Sequence, residues 1–256
     1  MPLWLLVDAS NMVYRDVFAA GGYAIRNIQR RMDAARLEFE PERIVFAMDP
    51  AGKSFRHSIE STYKANRKDD RPPEIGITFD KLRGYAIENA DEVVQVDGFE
   101  ADDIIATLAR IAQEGGRRAC VVSSDKDVRQ CLVDGRVSQS VKMPVRVRDS
   151  EYMTAATLFY ETGIRPDQWA EYQAVVGDKA DGYGGCEGIG PRFARMIFEQ
   201  FDTLDDYFKN PLAVKIPKSR QQELFRFRRG PLAKSKQLAT LRTDVPLPAS
   251  WLEFAA

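Results

Sequence analysis

Four short apolar runs in the first half of the chain each lead into acid. Leu3-Trp4-Leu5-Leu6-Val7 ends at Asp8, and Ile44-Val45-Phe46-Ala47-Met48 ends at Asp49. Val93-Val94-Gln95-Val96 is followed, after Asp97-Gly98-Phe99, by Glu100, Asp102 and Asp103. Ala119-Cys120-Val121-Val122-Ser123-Ser124 is followed by Asp125 and Asp127. Between them lie stretches of helical period, over residues 25–37, 79–90, 104–113 and, more briefly, 128–133. Continuous apolar strands alternating with helices predict an α/β fold, with a central mostly parallel sheet covered on both faces. All strands of such a sheet end on one edge, where ligands bind. The acids are therefore expected to converge although they are far apart along the chain.

A further edge strand is expected over residues 145–147, because Pro144 before it argues against a central position. From Thr154 onward the texture changes to helices and glycine turns. Residues 168–176 read as a helix, followed by a loop rich in Gly, Asp and Lys. A second helix is expected over 191–201, with Pro191 at its first position and Asp202-Thr203 just beyond its end. A boundary near Thr162 would leave a core over residues 1–162, with an arch around 53–90, and a helical subdomain over 163–256.

Composition changes this picture little. The chain has 256 residues, 44% hydrophobic and 29% charged, which suits one large or two joined globular domains and excludes a disordered or fibrous class. Its apolar runs are strand-sized, too short to span a membrane. Met1-Pro2-Leu3-Trp4 runs straight into a strand, with no room for a signal peptide. Cys120, Cys131 and Cys186 are odd in number and lack metal-ligand spacing, so reduced thiols in a cytoplasmic protein are expected. The net charge of −1 hides a segregation: residues 215–242 hold nine basic residues against Glu223 alone. Lys53, Arg56, Lys64, Arg67, Lys68 and Arg71 face only Glu60, Asp69 and Asp70 over residues 53–71. Such stripes suit phosphate binding, although solvated helix faces give the same pattern.

Carboxylates gathered on one edge repel each other and are costly to ionise without a counter-charge. Oxygen ligands suit Mg²⁺ or Mn²⁺, and no His/Cys set points to zinc; His57, the single histidine, receives no role. One strand-end acid is more often a helix cap or a turn residue. Seven acids at four strand ends favour a metal centre, and two ions ~4 Å apart would be able to activate water and stabilise a leaving phosphodiester oxygen. Gly184-Gly185-Cys186-Glu187-Gly188-Ile189-Gly190 before a helix lets backbone N–H groups approach phosphate, as in a helix-hairpin-helix clamp. A plain tight turn is the alternative. A nucleotide-binding loop is disfavoured because no Gly-Lys-Ser/Thr follows.

The ordered motifs resemble those of the bacterial and bacteriophage 5′-nucleases, the flap-endonuclease and 5′→3′ exonuclease family with a PIN-like core. Val7-Asp8-Ala9-Ser10-Asn11 is similar to the opening motif. Residues 49–67, with Ser54-Phe55-Arg56-His57 and Tyr63-Lys64-Ala65-Asn66-Arg67, resemble the second. Gly98-Phe99-Glu100-Ala101-Asp102-Asp103 and Ser124-Asp125-Lys126-Asp127 resemble the third and fourth. Gly177-Asp178-Lys179-Ala180-Asp181 leading to Glu187-Gly188-Ile189-Gly190 resembles the fifth. Residues 238–246 are similar to the family's C-terminal segment.

The resemblance implies metal ligation by Asp8, Asp49, Glu100, Asp102, Asp103, Asp125, Asp127, Asp178 and Asp181. With those nine set aside, 29 acids face 37 basic residues, and the remainder carries +8. It implies two Mg²⁺ or Mn²⁺ ions, K⁺ at the hairpin, and Lys64 and Arg67 as cations facing the scissile phosphate. Tyr63 would stack on a terminal base, with ordinary packing inside the fold as the alternative. Arg56, Gly188, Gly190 and Arg192 would contact DNA. Gly182 replaces a common Asn and Tyr183-Gly184 an apolar-proline pair, so a looser turn is expected. The substrate would be DNA with 5′ flaps or free 5′ ends, cut by a monomeric, stand-alone nuclease without a polymerase domain. Rival readings are a branched-DNA-binding protein without catalysis and a PIN-type ribonuclease.

Overall fold

The computed structural model describes residues 1–66, 71–89, 91–142 and 151–255. Two compact units partition the chain. The first comprises Met1–Ser54, Asp69–Thr154 and Arg242–Ala256; the second comprises Phe55–Lys68 and Ala155–Leu241. In chain order the helices are α1 (Ala9–Ala20), α2 (Ala24–Phe39), α3 (Arg56–Ile59), α4 (Glu74–Glu88), α5 (Ala101–Glu114), α6 (Ala155–Thr162), α7 (Trp169–Val176), α8 (Pro191–Phe198), α9 (Leu204–Lys209), α10 (Lys218–Arg229), α11 (Leu232–Ala239) and α12 (Ala249–Leu252). Among the described residues no helix is long and apolar enough to cross a membrane.

The first unit is built on a sheet of six strands: β1 (Leu3–Asp8), β2 (Arg43–Met48), β3 (Glu92–Gln95), β4 (Arg118–Val122), β5 (Val137–Lys142) and β6 (Glu151–Met153). Their order is β3-β2-β1-β4-β5-β6, parallel throughout except that β6 runs antiparallel to β5. Successive side chains of a strand point to opposite faces, which divides the apolar runs in two. Leu5, Val7, Ile44, Phe46, Met48, Cys120 and Val122 share one core with Met12, Val13, Ile28, Met32 and Leu82 from α1, α2 and α4. Trp4, Leu6, Val45, Ala47, Ala119 and Val121 share the other with Ile104, Leu108 and Ile111 of α5. Burial on both faces is why β1, β2 and β4 read as unbroken apolar runs.

Several segments are placed differently in detail from the sequence reading. The segment from Arg242, expected in the helical subdomain, packs with the sheet because its apolar side chains complete the second core: Val245 and Trp251 join it, with Phe254 against it. Trp4, fully buried, meets Trp251 and Phe254 edge-on at centroid distances of 5.7 and 5.4 Å, and Arg43 lies over the Phe254 ring at 4.2 Å. Gly115 touches the same segment, and a Cβ there would lie 1.7 Å from the Phe254 carbonyl oxygen. Residues 128–133 make no α-helix but a 3₁₀ turn at Asp127–Cys131. The strand expected over 145–147 lies outside the described residues. Part of the range read as an arch is α4, which contributes Ile75, Leu82, Tyr85 and Ala86 to the first core.

The second unit is helical, with Trp169, Ile197, Phe198, Leu204, Tyr207, Leu224 and Phe227 buried. α8 ends at Phe198 rather than at residue 201. Glu171 of α7 is buried and accepts the Leu204 N–H at 2.7 Å and the Lys236 ammonium, joining α7, α9 and α11. Between α7 and α8 the chain makes a short antiparallel pair, β7 (Gly177–Asp178) with β8 (Tyr183–Gly184). Gly177 has φ +83°, and a Cβ on it would lie 2.3 Å from the Gly185 nitrogen, so side chains are excluded where the two strands touch.

Candidate metal centre and nucleic-acid-binding elements

From β1 the chain winds through β2 to β3, then crosses back to β4 on the other side of β1. The gap between β1 and β4 is thus a topological switch point, and the carboxyl ends of these strands frame it. Asp8 closes β1 and caps α1. Its Oδ1 accepts the Asn11 N–H at 2.8 Å, and its Oδ2 accepts the Ser123 hydroxyl at 2.8 Å. Asn11 in turn accepts the Ser124 N–H at 3.1 Å and its hydroxyl at 2.8 Å, stitching α1 to the end of β4. The Asp125 N–H donates to Ser123 Oγ at 3.0 Å, and the Asp127 N–H donates to Asp125 Oδ1 at 2.9 Å.

Asp49, after β2, is held from several sides. Its N–H donates to Ser10 Oγ at 3.0 Å, its Oδ1 accepts the Ala101 N–H at 2.9 Å, and its carbonyl accepts Gln95 Nε2 at 2.6 Å. Glu100 and Asp103 occupy the start of α5, where negative charge is favoured by the helix dipole. The Ser54 hydroxyl donates to Glu100 Oε1 at 3.2 Å, and the Glu100 N–H donates to Asp103 Oδ2 at 3.2 Å. Asp103, fully buried, also accepts the Arg242 N–H at 2.8 Å. Glu100, Asp102 and Asp103 each offer an oxygen within 4.8 Å of the others.

This crowding has an electrostatic signature. The Asp8 carboxyl is pushed up to about 7, first by burial and then by the charge of Asp49, with Asp125 adding to it; the Asn11 and Ser123 hydrogen bonds pull the other way. A carboxyl whose ionisation is opposed by burial and by neighbouring charge gains from a cation. Carboxylate oxygens on rigid strand and helix ends fit a hard divalent ion. Sequence reasoning missed the supporting side chains Ser10, Asn11, Ser54, Gln95, Ser123 and Gln139. For Ser10 and Ser123 the available signal was a polar residue two places from Asp8 and from Asp125; Gln139, on a different strand, carried no such signal.

In the second unit, Asp178 and Asp181 bring carboxylate oxygens within 4.8 Å of each other. Asp178 Oδ1 accepts the Ala180 and Asp181 N–H groups at 2.7 and 3.3 Å, closing a tight turn. Lys64 lies beside this turn. Its N–H donates to the Asp181 carbonyl at 3.0 Å, and its Nζ stands 4.0 Å from Asp181 Oδ1. Its backbone is left-handed, at φ 56°, a conformation a lysine adopts only under constraint. Gly182 follows with φ +80°, where glycine is the unstrained choice.

Two residues expected to contact DNA are buried within the second unit. Tyr63 is 3% exposed, packed with Tyr183, Leu238 and Ala239, and its hydroxyl donates to Asp181 Oδ2 at 2.9 Å. A ring so covered offers no face to a base, and Tyr63 instead holds Asp181. Arg56 is 1% exposed, and its guanidinium donates to the Leu238 and Thr240 carbonyls at 2.9 and 3.3 Å, where α11 ends. It satisfies helix-end acceptors rather than phosphate. Arg67 lies outside the described residues.

The hairpin between α7 and α8 matches the expected outline. Gly188 is exposed, with φ +70°, and a Cβ there would run into the Arg220 guanidinium at 1.7 Å. Gly190 caps α8, with open space where a Cβ would stand. Arg192, in the first turn of α8, is exposed, as are Lys218, Arg226, Arg228 and Arg229 of α10.

Residues 3–163 match the 5′-3′ exonuclease N-terminal resolvase-like domain, and residues 164–256 match the 5′-3′ exonuclease C-terminal SAM fold. The chain is 31% identical over 255 residues to the thermostable DNA polymerase I of Thermus aquaticus, covering 95% of this chain and 29% of the polymerase. It thus spans less than a third of that relative's length. It is 29% identical over 259 residues to the 5′-3′ exonuclease of Bacillus subtilis, covering 95% of this chain and 84% of that one. Among solved structures, the T5 5′-exonuclease with zinc bound matches with a TM-score of 0.75 at 20% identity, over 100% of this chain and 97% of that one. The bacteriophage T5 flap endonuclease with DNA and metal ions gives a TM-score of 0.72 at 19% identity, over 99% of this chain and 92% of that one. At such identities these two likenesses are of fold. With nearly every residue accounted for by the two matched regions, the chain belongs to the 5′-3′ exonuclease family.

Proposed function

We propose that the chain is a structure-specific 5′-nuclease that hydrolyses DNA phosphodiesters at 5′ flaps and free 5′ ends, using two Mg²⁺ or Mn²⁺ ions. The observation that carries this reading is the gathering of Asp8, Asp49 and Asp125 at the carboxyl ends of the strands, where burial first, and then the charges of Asp49 and Asp125, lift the Asp8 carboxyl to about 7. Glu100, Asp102, Asp103 and Asp127 complete the ligand set of the first unit, and Asp178 and Asp181 are the candidate ligands of the second. Bound divalent ions supply a nucleophilic water at neutral pH and neutralise charge on the leaving oxygen. The chain's own residues set the positions of those ligands and offer cations to the phosphate. The hairpin glycines and the exposed arginines of α8 and α10 hold duplex backbone without reading sequence.

The test is incubation with end-labelled flap DNA, the matching RNA, and Mg²⁺ or EDTA. Mg²⁺-dependent release of the DNA flap is expected. Tight binding of branched DNA without cleavage would replace the reading with that of a binding protein, and preference for RNA would replace it with that of a ribonuclease.

Lys64, poised beside Asp181, is assigned to the reacting phosphate. Lys64→Ala is expected to lower the single-turnover cleavage rate by at least about tenfold, with DNA affinity in Ca²⁺ changed much less. Equal losses in rate and affinity would make Lys64 a simple positioning contact. For the hairpin, Gly190→Ala is the clean probe, because its Cβ meets nothing in the fold, whereas Gly188→Ala strains the backbone and displaces Arg220. Gly190→Ala is expected to leave the melting temperature unchanged and weaken duplex binding several-fold, since the new methyl occupies the line of backbone approach. Unchanged affinity in a fluorescence-anisotropy titration would remove the hairpin from the DNA interface.

A further inference from the structure

We propose that Gln139 is a positioning residue of the metal centre, fixing the turn that carries Asp125 and Asp127. The inference rests on the nuclease reading above. Gln139 lies on β5, paired with Val121 of β4, and is fully buried. Its Nε2 donates to the Ser123 carbonyl at 2.9 Å and to the Asp125 carbonyl at 2.7 Å. Both hydrogens of one amide are therefore spent on the backbone of the turn that follows the neighbouring strand. Its Oε1, by contrast, has no hydrogen-bond partner among the described residues. A buried acceptor left unpaired is unfavourable, and Leu or Met at the same rung would avoid it. Glutamine suits this position for its two donors.

What those donors hold is the route from β4 to the acids. With the carbonyls of residues 123 and 125 pinned, Ser123 Oγ is held where it receives the Asp125 N–H and donates to Asp8 Oδ2. Asp125 Oδ1 is held where it receives the Asp127 N–H. Without Gln139 the two carbonyls must turn toward other donors, and each such rotation moves Asp125 relative to Asp8. Partners of this kind, one step removed from a metal, commonly govern affinity as strongly as the ligands.

The experiment compares Gln139→Glu, which keeps the shape but loses the amide donors, and Gln139→Met with the unaltered protein. Ser140→Ala serves as control: Ser140 is the next residue on β5, equally buried, with a hydroxyl that makes no hydrogen bond. Mn²⁺ binding is read by the electron paramagnetic resonance of free Mn²⁺, and cleavage is followed as Mn²⁺ is raised. Both Gln139 variants are expected to bind Mn²⁺ about tenfold more weakly than the control and to regain cleavage as the metal is increased. Variants that melt with the control yet bind Mn²⁺ as the unaltered protein does would overturn the proposal. Should Gln139→Met fail to fold, Gln139→Glu decides alone by the same criterion. An unaltered protein that neither binds Mn²⁺ nor cuts would remove the nuclease reading itself, and this proposal with it.

Discussion

A chain carrying Asp125→Asn and Asp127→Asn together is expected to cut flap DNA at least about 10²-fold more slowly than the unaltered chain, while binding the same DNA as tightly or more tightly. Asparagine keeps the outline of each side chain, and its carbonyl oxygen can still accept the Asp127 N–H that Asp125 Oδ1 receives. The change therefore removes charge and leaves the turn in place. On the proposed reading two anionic ligands are lost, so the site would hold divalent ions less firmly and stabilise less of the charge that develops during hydrolysis. Binding follows the opposite sign, because two negative charges near phosphate have been deleted. Cleavage in Mg²⁺ and anisotropy in Ca²⁺ measure the two effects separately. A double variant that cuts at the original rate would place these acids outside the active site.

The second large effect concerns acid and stability. In EDTA, folding stability is expected to fall as the pH rises from about 4 to about 7, at up to ~1.4 kcal/mol per pH unit from Asp8 alone. The folded Asp8 carboxyl sits at about 7, against 3.8 for the ordinary group. Below 3.8 both folded and unfolded chains hold the proton, and the contribution is complete. Between the two values the unfolded chain releases the proton while the folded chain must retain it or bear a buried charge. Above about 7 the loss levels off. Mg²⁺ is expected to reverse the trend, since a cation favours the ionised form. Other groups also titrate, so the diagnostic quantity is the difference in urea unfolding between the unaltered chain and Asp8→Asn across this range. Identical slopes for the two would show that Asp8 is not the strained group.

The sheet was legible because β1, β2 and β4 are buried on both faces and advertise themselves as apolar runs. β5 reads Val-Ser-Gln-Ser-Val-Lys, and its buried Gln139 and Ser140 break the apolar signal. It went unseen because polar side chains interrupt the run even where they are buried. The acids were legible as a class, since their positions follow from parallel topology alone. The parts played by Tyr63 and Arg56 were not, because an aromatic and a cation in a basic segment look the same whether they meet DNA or their own chain. Only the hydrogen bonds to Asp181 and to the end of α11 separate the two cases.

The packing of Trp4 against Trp251 and Phe254 joins the first strand to residues some 250 positions later. α5 covers part of the Trp4 face of the sheet, and the core around Trp4 is complete only when the late segment is also in place. So distant a closure also slows folding, since the loop must be ordered before the contact rewards it. The same segment delivers the Arg242 N–H to Asp103, so the acidic edge acquires its final shape only when the sheet closes. The packing around Trp4 and the setting of Asp103 are thereby tied to one short segment, so that a change in that segment is felt both in the core and at the acidic edge.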